Sequence, residues 1–144
     1  MKAFIRYAPI ILIALLVSAC APHVPAESTG TGDFATLAVE PARTSPGGEV
    51  TITLTNRSGR EIGYNLCPAV LDRRVGADWA QHPEAPAEVC TMELRILQPG
   101  ASDSFRHSLP AGLTAGTYRF RLGVEWPLGD ARVGVASGPF EVVR

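Results

Sequence analysis

Between Tyr118 and Trp126 every second residue is large and apolar: Tyr118, Phe120, Leu122, Val124 and Trp126 alternate with Arg119, Arg121, Gly123 and Glu125. Side chains of an extended strand point alternately to opposite faces, so a period of two encodes one face in a core and the other in water. Wound as a helix, the same residues would scatter the apolar set around the cylinder. Val50, Ile52 and Leu54 repeat the pattern against Thr51, Thr53 and Thr55. Weaker alternation runs through Leu37 to Val39, Ile62, Tyr64 and Leu66, Met92, Leu94 and Ile96, Phe105 to Leu109, and Phe140 and Val142. Turn formers separate the runs: Pro46-Gly47-Gly48, Arg57-Ser58-Gly59, Pro99-Gly100, Ala115-Gly116 and Leu128-Gly129-Asp130. No window carries a convincing amphipathic helix. About seven to nine short antiparallel strands, each with one wet face, predict an all-β fold, an antiparallel β-sandwich.

The N-terminus follows a different rule. Lys2 and Arg6 precede an apolar run from Ala8 to Ala19 that ends Val17-Ser18-Ala19-Cys20. A basic head, a short apolar stretch and small residues at its end read as a secretory signal. The run is too short for a spanning helix, which needs roughly 20 apolar residues. A plain secretory signal and an uncleaved anchor are the competing readings. The Val-Ser-Ala-Cys ending resembles the lipobox of bacterial lipoproteins. That resemblance implies removal of residues 1–19 as a signal peptide and acylation of the Cys20 thiol, by palmitate-type chains, at the new N-terminus. Two or more such chains exceed what stable membrane anchoring requires. Ala21 is not the aspartate associated with inner-membrane retention in that class, so in a cell with two membranes the resemblance implies the outer one. Residues 20–33 then form the lipidated cysteine and a tether. Its Pro, Gly, Ser and Thr content lacks apolar periodicity, and as a random coil it reaches roughly 20 Å. Residues 34–144 are of a size for one core.

The chain has three cysteines. With Cys20 lipidated, Cys67 and Cys90 remain as an even pair in an exported chain, which predicts a disulfide. A metal or redox pair is the alternative, but the two thiols have neither a CxxC spacing nor clustered histidines.

Little else in the sequence carries chemistry. Formal net charge is −1 and becomes more acidic once Lys2 and Arg6 are removed, so there is no electrostatic footprint for nucleic acid. Lys2 is the sole lysine, which excludes Schiff-base, P-loop and Ser-Lys chemistry from the mature chain. His23, His82 and His107 fall in the tether, a loop and a strand, without metal-ligand spacing. His107 shares strand parity with Phe105 and Leu109 and reads as a hydrogen-bonded, partly buried side chain. Asp72, Asp78, Glu84 and Glu88 are solvated loop carboxylates, and Asn56-Arg57-Ser58 matches a glycosylation sequon. No GxSxG or HExxH is present. The expectation is a chain that is not an enzyme and holds neither cofactor nor metal.

Ser45-Pro46-Gly47-Gly48-Glu49-Val50-Thr51-Ile52-Thr53-Leu54-Thr55-Asn56, Leu97-Gln98-Pro99-Gly100 and Ala115-Gly116-Thr117-Tyr118-Arg119-Phe120 together resemble the bacterial immunoglobulin-like domains of envelope proteins. The resemblance spans residues 34–144 and implies an immunoglobulin-like sandwich in which Tyr118 makes the tyrosine corner. The Leu-x-Pro-Gly and Gly-Thr-Tyr elements are more loosely similar to the intracellular proteinase inhibitor family of Bacillus. Between the two cysteines, Val75 to Glu88 reads as a long loop holding Trp79 and His82, beside Arg73 and Arg74. Pinned by a disulfide, these residue types suit a binding hot spot; the competing reading folds Trp79 back as a cap on the sandwich. The function expected is a lipid-anchored binding or accessory module of the cell envelope. It would meet the membrane through its lipid and an envelope protein or other surface ligand through the loop. A proteinase inhibitor, and a metal carrier or enzyme using His82 and nearby carboxylates, are the alternatives.

Overall fold

The strand with the clearest alternation forms the axis of the molecule. The computed structural model describes residues 33–83 and 89–144. The expected signal peptide, Cys20, the tether to Gly32, and Glu84 and Glu88 lie outside these residues. Eleven strands and no helix occur among the described residues: β1 (Ala35–Glu40), β2 (Arg43–Thr44), β3 (Glu49–Asn56), β4 (Ile62–Tyr64), β5 (Val70–Val75), β6 (Asp78–Gln81), β7 (Arg95–Leu97), β8 (Ser102–Ser108), β9 (Gly116–Glu125), β10 (Arg132–Ala136) and β11 (Phe140–Val142).

One sheet has the order β1-β3-β8, antiparallel throughout. The other is built on β9. Along one edge β9 pairs with β11 and then β10; along the other it pairs with β5 and then β4. β6 extends β5, β7 extends β4, and β2 joins β11 in parallel. The two sheets face each other as an immunoglobulin-like sandwich. Where β10 gives way to β11, Ser137 repairs the ladder. Its N–H donates to the Phe120 carbonyl at 2.8 Å, and its Oγ accepts the Phe120 N–H at 2.9 Å.

The inner faces carry the apolar half of each alternation. Ile52 and Leu54 from β3 meet Phe120 from β9, Leu71 from β5 and Phe140 from β11, all with at most 1% exposure. Phe120 and Phe140 stack with centroids 5.8 Å apart. Each such side chain contributes about 1.5–3 kcal/mol of burial free energy. On the outer face of the smaller sheet the threonines of β3 bond to β8: Thr53 to Ser104 and Thr55 to Ser102, both at 2.8 Å.

Several polar groups inside this core have specific partners. Asn56 donates to the Arg60 and Leu97 carbonyls and accepts from Ser58 N–H and Oγ. It is fully buried, so the sequon reading of this residue does not fit: the amide is a turn brace with no accessible nitrogen. His107 is wholly buried, where the sequence suggested partial burial. Its Nε2–H donates to the Leu66 carbonyl at 3.1 Å and its ring packs on Phe105 and Phe120. Tyr118 Oη donates to the Thr114 carbonyl at 2.8 Å, the geometry of a tyrosine corner.

Two ties close the flank where β4 and β8 approach. Cys67 and Cys90 form a disulfide with Cα atoms 5.5 Å apart. Tyr64 Oη donates to Asp103 Oδ2 at 2.6 Å, and Arg95 pairs with the same oxygen. Removing the bridge with a Cys67→Ala, Cys90→Ala pair is expected to cost about 3.5 kcal/mol by loop-closure entropy, read as a lower urea midpoint with an equal or steeper slope as the unfolded chain expands. Burial, followed by the hydrogen bond and charge of Asp103, pushes Tyr64 from 10.0 up to about 12. The folded chain thus keeps a proton that the unfolded chain loses first. This contribution is complete below pH 10 and is lost as pH rises through about 12. Urea titrations should show that alkaline loss in the wild type and a shallower one in Tyr64→Phe.

Candidate functional site

The described part of the segment expected to be a loop, up to Gln81, belongs to a hairpin. β5 pairs with β6 from Asp72↔Gln81 to Val75↔Asp78, leaving Gly76 and Ala77 as the turn. Gly76 has φ 63°, which the first central position of a type II′ turn requires. The hairpin divides the four residues expected to act together. Directly paired residues share a face, so Arg74 and Trp79 stand on the outer face of the larger sheet. Arg73 pairs with Tyr118 on the opposite face, near Gly116, and the His82 ring lies 6.1 Å from Tyr118. Arg73 and His82 therefore belong to the end of the sandwich, apart from Trp79.

Trp79 is joined instead by residues from β9. Asp72 pairs directly with Arg119 across the two strands. Its carboxylate is 4% exposed and lies 3.3 Å from Arg119 Nε and 3.2 Å from Arg121 Nε, with Arg121 Nη2 3.4 Å from the second oxygen. The reading of Asp72 as a solvated loop carboxylate is thus replaced: it is a strand residue held between two guanidiniums. Arg119 in turn lies under the Trp79 ring, 4.4 Å from its centroid, and Arg74 sits 5.5 Å away. Trp79 is half-buried against these arginines and takes no part in the core, so the cap reading also fails.

The physical balance explains what this cluster does. Burying one carboxylate is unfavourable unless its lone pairs are met, and here two guanidiniums meet them. Their attraction mostly offsets desolvation, so the net result is placement: Arg119 and Arg121 are held in fixed directions rather than waving in solvent. One carboxylate between two guanidiniums leaves positive charge in excess. Arg121, with 44% of its side chain exposed, keeps N–H groups toward water. Below it Gly123 pairs with Gly134; the Arg132 side chain lies against Gly123 and pairs with Glu125 at 3.7 Å, and the backbone is open at Gly134. The result is a shallow, positively charged shelf with a flat aromatic wall, suited to a carboxylate or other oxyanion on a flat or extended group.

A second concavity lies beside the disulfide. It has a volume of about 350 Å³ and is lined by Asn65, Leu66, Cys67, Val89, Thr91, Glu93, Arg95 and Phe105. It brings no nucleophile and base together. Among the described residues no group of three or more His, Cys, Asp or Glu is placed to hold a metal ion. Likewise, among the described residues no helix is long and apolar enough to cross a membrane.

No protein-family model and no curated protein matches the chain. Among solved structures it is similar to the ASH/PapD-like domain of human CEP192 (PapD-like domain 7), at 13% identity. The match covers 94% of this chain and 99% of that one, with a TM-score of 0.37. A superposition that loose adds nothing to the sheet pairing described above.

Trp79 and Arg74 were legible as candidates because their residue types suit interfaces. Arg119 and Arg121 read only as the wet half of β9. The signal that could have found them is two arginines in register with a single aspartate on the neighbouring strand, which requires knowing the pairing. Asp72→Ala leaves both guanidiniums without their partner and is expected to cost about 3 kcal/mol in urea unfolding. Trp79→Ala, which removes only a half-exposed ring over arginine, is expected to cost about 1 kcal/mol or less.

Proposed function

We propose that this protein is a lipid-anchored binding module of the cell envelope, without catalytic activity, that captures a partner on the Arg119–Arg121–Trp79 shelf. The observation that carries the reading is the buried Asp72, which fixes two arginines beside an accessible tryptophan. Tryptophan and arginine dominate protein-binding hot spots because each combines large contact area with directional recognition. The excess positive charge favours a partner segment bearing carboxylates, and the open space at Gly134 admits an extended chain close to the sheet beside the Arg132 side chain.

The envelope location rests on the N-terminus. The basic head, short apolar run and Val17-Ser18-Ala19-Cys20 ending support export and acylation of Cys20, and Ala21 favours the outer membrane of a two-membrane cell. The Cys67–Cys90 disulfide agrees with an oxidising compartment.

Cross-linking in intact envelopes, followed by mass spectrometry of the captured species, tests the reading. A reproducible envelope protein is expected, joined through peptides containing Trp79 or Arg121. Trp79→Ala should lower its capture about tenfold, the effect of losing one hot-spot side chain, at a stability cost of about 1 kcal/mol or less, and Arg121→Ala should lower capture similarly with a larger loss of stability, because it takes one of the two guanidiniums from the buried Asp72. Capture that is indifferent to both substitutions would remove the shelf from the proposal.

A further inference from the structure

The described domain begins beside an apolar end. Phe34 follows the tether in sequence and stacks on Trp126, with ring centroids 4.8 Å apart and planes at 18°. Phe34 is buried while Trp126 remains 37% exposed, so the indole covers the first core residue and presents its other side outward. Close by, Gly63 pairs with Glu125 on β9 and with Ile96 on β7. A Cβ on Gly63 would meet Leu128 Cδ1 at 2.8 Å and Leu94 Cδ1 at 3.2 Å. The two leucines, from separate segments, have closed over the bare backbone of this glycine together with the Glu125 carboxylate, whose Oε2 is 3.2 Å from the same point. Ile96 stands on the same face by register and is 53% exposed; Leu94 is 43% exposed.

Four large apolar side chains thus gather where the chain enters the domain, although the core is already filled without them. Clustered exposure of this kind marks a contact surface. The tether says which contact. Residues 21–32 can span at most about 40 Å, so a lipid on Cys20 would hold this end nearer the bilayer than the opposite one. Charge here nearly cancels: Arg57 and Arg60 are matched by Asp33 and Glu61, and Arg132 pairs with Glu125. Attraction to lipid would therefore come from apolar insertion, with tryptophan at the headgroup boundary where its amphipathic ring is favoured.

We propose that Leu94, Ile96, Trp126 and Leu128 form a bilayer-docking face that seats the domain upright on the membrane to which Cys20 ties it. The proposal rests on acylation of Cys20. Arg119 lies seven residues from Trp126, roughly 23 Å at the rise of a strand, so this seating raises Arg119 and Trp79 above the headgroups while the Gly123–Gly134 end of the shelf lies nearer to them.

The test uses the full chain, purified with its lipid and reconstituted in phosphatidylethanolamine–phosphatidylglycerol vesicles. Intact mass first establishes whether Cys20 is acylated. The chain has two tryptophans, so Trp79→Phe leaves Trp126 as the reporter. Lipids with brominated acyl chains are expected to lower Trp126 emission at least twofold, equally at low and high salt. In the converse variant, Trp126→Phe, emission from Trp79 should be unaffected. Adding Leu94→Ser and Ile96→Ser, both at exposed positions, to the Trp79→Phe chain should reduce quenching several-fold. Unquenched Trp126 in an acylated protein would overturn the docking face and leave the anchor standing. No acyl mass on Cys20 would overturn both. Quenching unchanged by the two serines would also sink it, as would a blue shift that grows with protein density without bromine quenching, the signature of a second copy on this face.

Discussion

Everything in the larger sheet depends on the pairing of β9 with strands on both of its edges. Ten residues long, it offers each edge to two successive partners, β11 and β10 on one side, β5 and β4 on the other. A strand can serve four partners only if its register is fixed, and a slip of one residue would put Arg119 and Arg121 into the core. Tyr118, Phe120, Leu122 and Val124, all essentially buried, make that slip prohibitive. The wet half of the same strand then has a defined place and direction, and the arginine–tryptophan shelf follows from it.

The molecule is polar along this axis. Toward the Gly116 end, β9 meets β5 and the β5–β6 hairpin, where charge and an aromatic ring are displayed outward. Toward the Glu125 end it meets β4 and the first core residue, where apolar side chains emerge instead. The disulfide between Cys67 and Cys90 spans the segment that contains the hairpin, so the part of the sheet bearing Trp79 is tied to the sandwich by a covalent bond as well as by hydrogen bonds.

Legibility in the sequence varied with how local the signal was. β3, β9 and β11 were readable because one face is apolar and the other is not. β5 was not, because Asp72 is buried on the outer face and Arg73 and Arg74 follow it, so the residues look like a polar loop. Their partners lie far off in the chain: Asp72 and Arg119 are 47 residues apart. β10 escaped notice for another reason. Val133 and Val135 do alternate, but over five residues that include a glycine, too short a run to stand out. At the site, residue type alone pointed to Trp79 and Arg74, while Arg119, Arg121 and Asp72 acquired meaning only in pairs. Grouping Arg73 and His82 with them failed because neighbours in a strand alternate faces.

Periodicity, turn residues and the even cysteine pair were enough to determine an all-β sandwich with a disulfide, since each is a local property of the chain or a matter of counting. Tertiary structure alone decided which residues share a surface. Register between strands distant in sequence put one aspartate between two arginines, brought Trp79 over Arg119, and closed Leu94 and Leu128 over Gly63. Those contacts depend on long-range pairing that closes only once the core has packed, and no short window of sequence records it.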